Sequence, residues 1–234
     1  MRIAILSDLH GNLEALQAIT DSWDELWVLG DLVNYGPNPA EVVEFVRQNA
    51  TTVVRGNHDH ALGHGADPQC SPAFQEMAQA MQAYTESVLT GEQKAYLRHL
   101  PATAEREVDG KRFFLCHAVP SDPLFRYGPR DPAFWAQEAA AVNSDILLVG
   151  HTHWPFILNV STRQVVNPGS VGQPKHGRCE ACYALWDEGN LTLKSQPYDV
   201  EATIGRLLAL PVDRGIRSQL VEVLRNGSPP GANS

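Results

Sequence analysis

At 234 residues, 43% of them apolar, the chain is long enough to bury the core of one generous domain. A formal net charge of −9 disfavours wholesale or stable binding to nucleic acid and to anionic membranes, while leaving room for a local cationic site such as bound metal. The apolar run near the N-terminus is broken by Asp8 and His10, too early for a signal peptide, and no stretch approaches the ~20 apolar residues of a spanning helix. A cytoplasmic location is the expectation, and Cys70, Cys116, Cys179 and Cys182 are read as reduced thiols, since Cys179 and Cys182 have no second pair to complete a thiolate metal site.

In chain order, residues 2–6 ("RIAIL") read as a buried strand. Asn12 then caps a helix with Leu13, Leu16 and Ile19 on its apolar face. Residues 26–30 ("LWVLG") and 51–54 ("TTVV") are the next strand-like runs. Asn38-Pro39, Ser71-Pro72 and Asp131-Pro132 each pair a capping side chain with proline at the first helical position, and Thr90 and Gln93 have capping-box spacing. The stretch 67–100 reads as a helical, cap-like insertion. Strands follow at 112–116 and 145–150, then hairpins around Ser161-Thr162 and Glu188-Gly189-Asn190. Two helices, about 199–225, close a single domain of residues 1–226, and the Gly/Pro-rich 227–234 reads as a disordered tail. A strand-helix-strand front half and a hairpin-rich back half indicate a layered α/β sandwich with mixed sheets.

The chemistry gathers at strand ends. Asp8 and His10 follow the first run, Asp31 the second, Asn57, His58 and Asp59 the third, His117 the fourth, and His151 and His153 the fifth. Five of the nine histidines fall in this set, which scattered histidines would not do. The C-terminal edge of an α/β sheet is where ligands bind. Carboxylate, imidazole and amide ligands suit Mn, Fe, Co, Ni or Zn. Seven such ligands are too many for one ion and suit two ions bridged by a carboxylate, an arrangement that clamps both oxygens of an in-line displacement at phosphorus.

Taken together, "SDLHGN", "LGDLV", "RGNHD", "CHA" and "VGHTHWPF" resemble the five motifs of the calcineurin-like metallophosphoesterase superfamily. The continuation "VVNPGSVGQP" is similar to its small bacterial and archaeal phosphodiesterases, some of them diadenosine-tetraphosphatase-like. The resemblance implies a four-layer αββα sandwich with two mixed β-sheets. It implies that Asp8, His10 and His153 hold one divalent ion, that Asn57, His117 and His151 hold the other, and that Asp31 bridges them. Manganese is the first expectation for both ions. It further implies that His58 contacts the substrate phosphate and protonates the leaving oxygen, after metal-activated hydroxide attacks phosphorus in line. Two dications against two carboxylates and a hydroxide leave a surplus of about +1 for a phosphodiester of about −1.

The chain departs from the protein phosphatases and from one diadenosine-tetraphosphatase group at "GDLVNYG", where Asn34 and Tyr35 stand in place of an Asp and a phosphate-clamping Arg. Arg126, Arg130, Lys175 and His176 are candidate substitutes, with exposed surface charge as the competing reading. Trp154 and Tyr35 are candidates to stack a base, core packing being the stronger reading for Trp154. Asp59 is a candidate to orient His58, against a turn-forming role, and Gly56 is expected to let the backbone turn off its strand. The expected activity is a phosphodiesterase on small or nucleotide substrates. The first alternative is hydrolysis of dinucleoside polyphosphates; a protein phosphatase and a non-catalytic scaffold are more distant. The sequence is silent on oligomeric state.

Overall fold

The computed structural model describes residues 1–228. The front half runs β1 (Arg2–Leu6), α1 (Leu13–Gln17), β2 (Glu25–Val28), α2 (Pro39–Asn49), β3 (Thr52–Val53), α3 (Asn57–His64), α4 (Pro72–Val88) and α5 (Gly91–His99). It continues with β4 (Thr103–Val108), β5 (Lys111–Cys116), α6 (Pro132–Ala140), β6 (Ile146–Leu148), β7 (Phe156–Val160), β8 (Arg163–Asn167), β9 (Glu180–Asp187), β10 (Asn190–Pro197), α7 (Val200–Leu208) and α8 (Arg214–Asn226).

The strands form two five-stranded mixed sheets, ordered β10-β9-β1-β2-β3 and β4-β5-β6-β8-β7. In each, a parallel trio carries the site-forming strand ends: β1, β2 and β3 in one sheet, β5, β6 and β8 in the other. Antiparallel strands flank them. The period of two along β1 explains its unbroken apolar run. Ile3 and Ile5 pack with Phe113, Leu115, Ile146 and Leu148 between the sheets, whereas Ala4 and Leu6 pack on the other side with Leu16, Val42, Val43 and Val46 from α1 and α2. The second sheet turns Leu147, Val149 and Val165 outward onto Trp135 and Ala139 of α6. These are the four layers that the sequence resemblance implied.

Local devices vary. Asn12 caps α1 through Ala15 N–H (3.1 Å), and Thr90 and Gln93 form the reciprocal capping box (3.2 and 3.0 Å). Of the three proline-started helices only α6 has a side-chain cap, Asp131 accepting from Ala133 N–H (2.9 Å). Asn38 and Ser71 make no such bond, so there the fixed φ of proline at the start of the helix is what the sequence supplies.

Two elements escape the pattern reading. β4 is an edge strand whose central Glu105, Arg106 and Glu107 are exposed, so Arg106 interrupts the face that Ala104 and Val108 turn to the core; it turns into β5 through Asp109-Gly110, both left-handed. The other is α3, which begins inside "RGNHDH". Within the stretch 67–100, α4 packs through Phe74, Met77 and Met81 onto Ile204, Leu207, Leu220 and Leu224 of the last two helices. Gly227 ends α8 in the left-handed conformation and its carbonyl accepts from Gly177 N–H (2.6 Å), so the chain is still held at 227. The rest of the expected tail, from 229, lies outside the described residues.

Candidate metal centre

The ends of the strands turn inward by an unusual route. Asp8, His10, Asp31, His151 and His153 all sit at positive φ, between 45° and 65°. Left-handed backbone costs an L-residue roughly 1–2 kcal/mol, and its concentration here marks a functional edge. The loops hold one another in place. Asp8 N–H donates to Gly30 O (3.0 Å), His10 N–H to Asp31 O (2.9 Å), His151 N–H to Asp8 Oδ2 (3.1 Å) and Gly150 N–H to His117 O (2.7 Å). Gly56 serves this packing rather than a turn. Its φ is −88°, open to any residue, but a Cβ there would overlap Asp31 Oδ1.

The side chains meet as two adjoining groups. In the first, His153 Nε2 lies 3.3 Å from Asp8 Oδ1 and 3.2 Å from His10 Nε2. In the second, His117 Nε2 lies 3.0 Å from Asn57 Oδ1 and 3.2 Å from His151 Nδ1. Asp31 Oδ2 stands between them, 3.7 Å from His10 Nε2 and 3.4 Å from His117 Nε2. All seven side chains are buried.

The outward faces of the rings decide what this cluster is for. His10 Nδ1 bonds Val33 O (3.0 Å), His117 Nδ1 bonds Leu29 O (2.8 Å), His153 Nδ1 bonds Gln173 O (2.5 Å) and His151 Nε2 bonds Phe125 O (3.1 Å). A carbonyl only accepts, so each outer nitrogen carries a proton, and the neutral form of each ring turns a lone pair inward. Asn57 follows suit, Nδ2 donating to Pro68 O (2.6 Å) and Oδ1 facing in. Four imidazole lone pairs, an amide oxygen and two carboxylates then converge, and Asp8 Oδ1 is buried with no hydrogen-bond partner. Such a set is satisfied by cations, and its N/O donors suit first-row dications. Asp8, His10 and His153 could hold one, Asp31, His117 and His151 another, with Asn57 Oδ1 beside the second.

Charge coupling within the cluster has a measurable consequence. Burial pushes the Asp31 carboxyl up, but His117 and His58 outweigh it and hold the acid well below the usual range. Burial pulls His117 down, yet Asp31 more than reverses this and raises it to about 9. Burial holds His151 down at about 3 and lowers His10 and His153 as well. In metal-free protein near neutral pH, His117 therefore carries the proton that a metal must displace. Metal affinity should climb as pH rises towards about 9 and level off above it, with about one proton released per molecule near neutrality. Titration calorimetry in buffers of different ionisation enthalpy reads that proton directly.

His58 lies beside the two groups. Its backbone N–H donates to Asp31 Oδ1 (2.9 Å), and burial holds its ring down at about 4. Asp59 does not orient it. The Asp59 carboxylate accepts instead from the N–H groups of Asp31 (2.8 Å), Leu32 (2.9 Å) and Gly56 (3.0 Å). The neighbour of the His58 ring is Asn34, at 2.8 Å. Arg55 bonds Arg98 O (2.9 Å) and His64, which ties it to the α3–α5 packing.

The four basic residues singled out in the sequence divide. The half-buried Lys175 is the one whose charge faces the cluster; burial lowers its ammonium to about 8, against the pull of Asp8 and Asp31, and it lies over the Phe74 ring (4.3 Å). Arg126 is committed elsewhere, to the buried Glu138 carboxylate (3.3 Å). Arg130 stacks on Trp154 (5.2 Å), whose other neighbour is His176. Trp154 is 40% exposed, which overturns the core-packing reading; the turn after His153 leaves its ring at the surface. Tyr127 was not read from the sequence. It stacks on His151 (4.0 Å) with 45% of its surface exposed, and only its place in the loop 117–130 hinted at it.

A strand-edge cluster of this composition on stacked mixed sheets fits a metal-dependent hydrolase of phosphoric esters. Residues 1–190 match the calcineurin-like phosphoesterase superfamily domain, and the chain belongs to that family. An uncharacterized protein of Methanocaldococcus jannaschii is 28% identical over 88% of this chain and 91% of its own length. Phosphodiesterase YfcE of Escherichia coli is 27% identical over 82% of this chain and 91% of its own. A symmetrical bis(5'-nucleosyl)-tetraphosphatase of Erwinia tasmaniensis is 40% identical, over only 25% of this chain and 24% of its own. Among solved structures, a metallophosphoesterase from Sphaerobacter thermophilus superposes with a TM-score of 0.82 at 31% identity, covering 97% of this chain and 99% of the other.

Proposed function

We propose that the protein is a two-metal phosphodiesterase acting on small or nucleotide phosphodiesters. The observation that carries this is the set of four buried imidazoles whose inner nitrogens are left free by backbone carbonyls on the outer ones, with Asp31 between the two halves. In this reading Asp8, His10 and His153 hold one dication, Asn57, His117 and His151 the other, and Asp31 both. When bound, a dication pair lowers the pKa of a water to near 7 and offsets charge on the phosphoryl oxygens. His58 donates a hydrogen bond to the substrate phosphate and gives a proton to the departing oxygen, while Lys175 adds a positive charge in a chain where Tyr35 stands in place of the protein phosphatases' clamping Arg. Manganese is the first metal to test, followed by Fe, Co, Ni and Zn.

A second reading, cleavage of dinucleoside polyphosphates, is favoured by the partial likeness to symmetrical tetraphosphatases and by the exposed Trp154 and Tyr127 rings, which offer stacking surfaces to two bases. Metal-supplemented turnover of bis(p-nitrophenyl) phosphate, cyclic nucleotides and diadenosine tetraphosphate, followed by product chromatography, separates the two. Preferential release of nitrophenol or of a nucleoside monophosphate supports the first reading. Preferential formation of two nucleoside diphosphates supports the second, and no turnover with any metal removes both.

A further inference from the structure

The ring of His58 touches two groups whose roles fix where its proton sits. On one side, Asn34 Nδ2 lies 2.8 Å from His58 Nδ1. On the other, Cys70 Sγ lies 3.5 Å from His58 Nε2 and accepts from the Tyr35 hydroxyl at 3.4 Å.

The orientation of the Asn34 amide follows from its other partners. Asn34 Oδ1 accepts from Tyr35 N–H (3.1 Å), a group that only donates. Asn34 Nδ2 donates to Ala78 O (3.1 Å), a group that only accepts. Reversing the amide would break the first bond and set two oxygens face to face at the second, in a buried place where an unmet polar group costs about 1–3 kcal/mol. The second hydrogen of Asn34 Nδ2 therefore points at His58 Nδ1, which must accept it. A neutral imidazole has one accepting and one donating nitrogen, so the proton of His58 is on Nε2.

We infer that Asn34 is a positioning residue that locks His58 in its Nε2–H tautomer, so that His58 and Tyr35 aim two donors at one acceptor position, the place Cys70 Sγ takes in this structure. The chemical class that suits this position is an anionic or leaving oxygen of a phosphoric ester. An Asp at position 34 would put a proton on Nδ1, because a carboxylate can only accept. The inference rests on His58 being the donor of the proposed function, but the tautomer itself is observable without turnover.

The test begins with protein labelled with ¹⁵N-histidine and loaded with diamagnetic zinc, read by two-bond ¹H–¹⁵N correlation. The His58 signals are those lost in His58→Gln. Wild type should show a bare Nδ1 and a protonated Nε2, and Asn34→Asp, which keeps a residue tolerant of the left-handed backbone at φ 74°, should show a protonated Nδ1. A protonated Nδ1 in wild type, or no change in Asn34→Asp, overturns the inference. Kinetics supply the second measurement. Asn34→Gly, equally at ease in that backbone, should lose about tenfold in kcat on esters with an alkoxide leaving group but only about twofold with p-nitrophenolate, since proton donation matters most for poor leaving groups. Equal losses on both, at unchanged metal content, would reduce Asn34 to a structural role and overturn the inference as well. Failure of the phosphoesterase reading would appear separately, as absent turnover in wild type with the zinc-loaded tautomer intact.

Discussion

Asp31→Asn is expected to lower metal-supplemented phosphodiester hydrolysis by about a thousandfold or more, with metal content falling from two ions per chain towards one. The substitution keeps the size of the side chain and changes only its charge and donor pattern. Asp31 Oδ1 is already occupied, accepting from His58 N–H at 2.9 Å, so an asparagine would keep its oxygen there. Its amide NH₂ would then face His10 Nε2 and His117 Nε2 in place of Asp31 Oδ2. An amide nitrogen has no lone pair for a metal, and it would donate into imidazole nitrogens that now face the cluster as acceptors. The variant should fold, because the bond to the His58 backbone is retained, while losing the carboxylate oxygen that stands between the two halves of the site. Elemental analysis and steady-state rates on the same preparation provide the check. Wild-type turnover in metal-replete Asp31→Asn would remove the two-metal reading.

Asp59→Ala is expected to unfold the protein about 10 °C earlier, the largest stability effect among single side chains at this edge. The Asp59 carboxylate, fully buried, is the shared acceptor for the N–H groups of Asp31, Leu32 and Gly56. Alanine would leave these three donors in a dry environment. The unmet groups cost about 1–3 kcal/mol each, not fully additively, or roughly 3–5 kcal/mol together. Asp59→Asn keeps one accepting oxygen and should cost less than half as much. Thermal unfolding of both variants, measured with and without manganese, distinguishes this role from direct catalysis. A variant as stable as wild type would show that water replaces the carboxylate.

The membership of the cluster was legible in the sequence because each residue follows a strand-like run, and the C-terminal edge of parallel strands collects whatever follows them. The core between the sheets was legible for a similar reason: Ile3–Leu6 and Ile146–Val149 are apolar at every position, as strands covered on both faces must be. The wiring behind the ligands was not. His10, His117 and His153 are held by carbonyls of Val33, Leu29 and Gln173, and backbone carbonyls carry no signature in a sequence. Asn34, given no role in the sequence reading, takes the place expected of Asp59. The residue next to His58 in sequence turned its side chain to other backbone groups, because α3 starts at Asn57 and places Asp59 at the helix N-terminus, near Gly56 and Asp31. Residue 34 lies far off in sequence but beside the ring in space. β4 went unread because Arg106 interrupts the apolar alternation between Ala104 and Val108.

The interlocked glycines have a consequence for how such a molecule can change. A methyl group added at Gly36 would strike His10 O, at Gly172 Leu9 O, at Gly150 Ser7 Oγ and at Gly30 Gly56 N. The inner loops thus admit almost no variation in backbone path. Gly65 and Gly177 have open space around them instead, and there only the left-handed φ of 66° and 84° favours glycine. Backbone change is accordingly expected to be better tolerated in the segments carrying Cys70, Tyr127, Arg130 and Lys175 than in the inner loops. A laboratory library meant to redirect this enzyme would do best to randomise those segments and leave every inner glycine untouched.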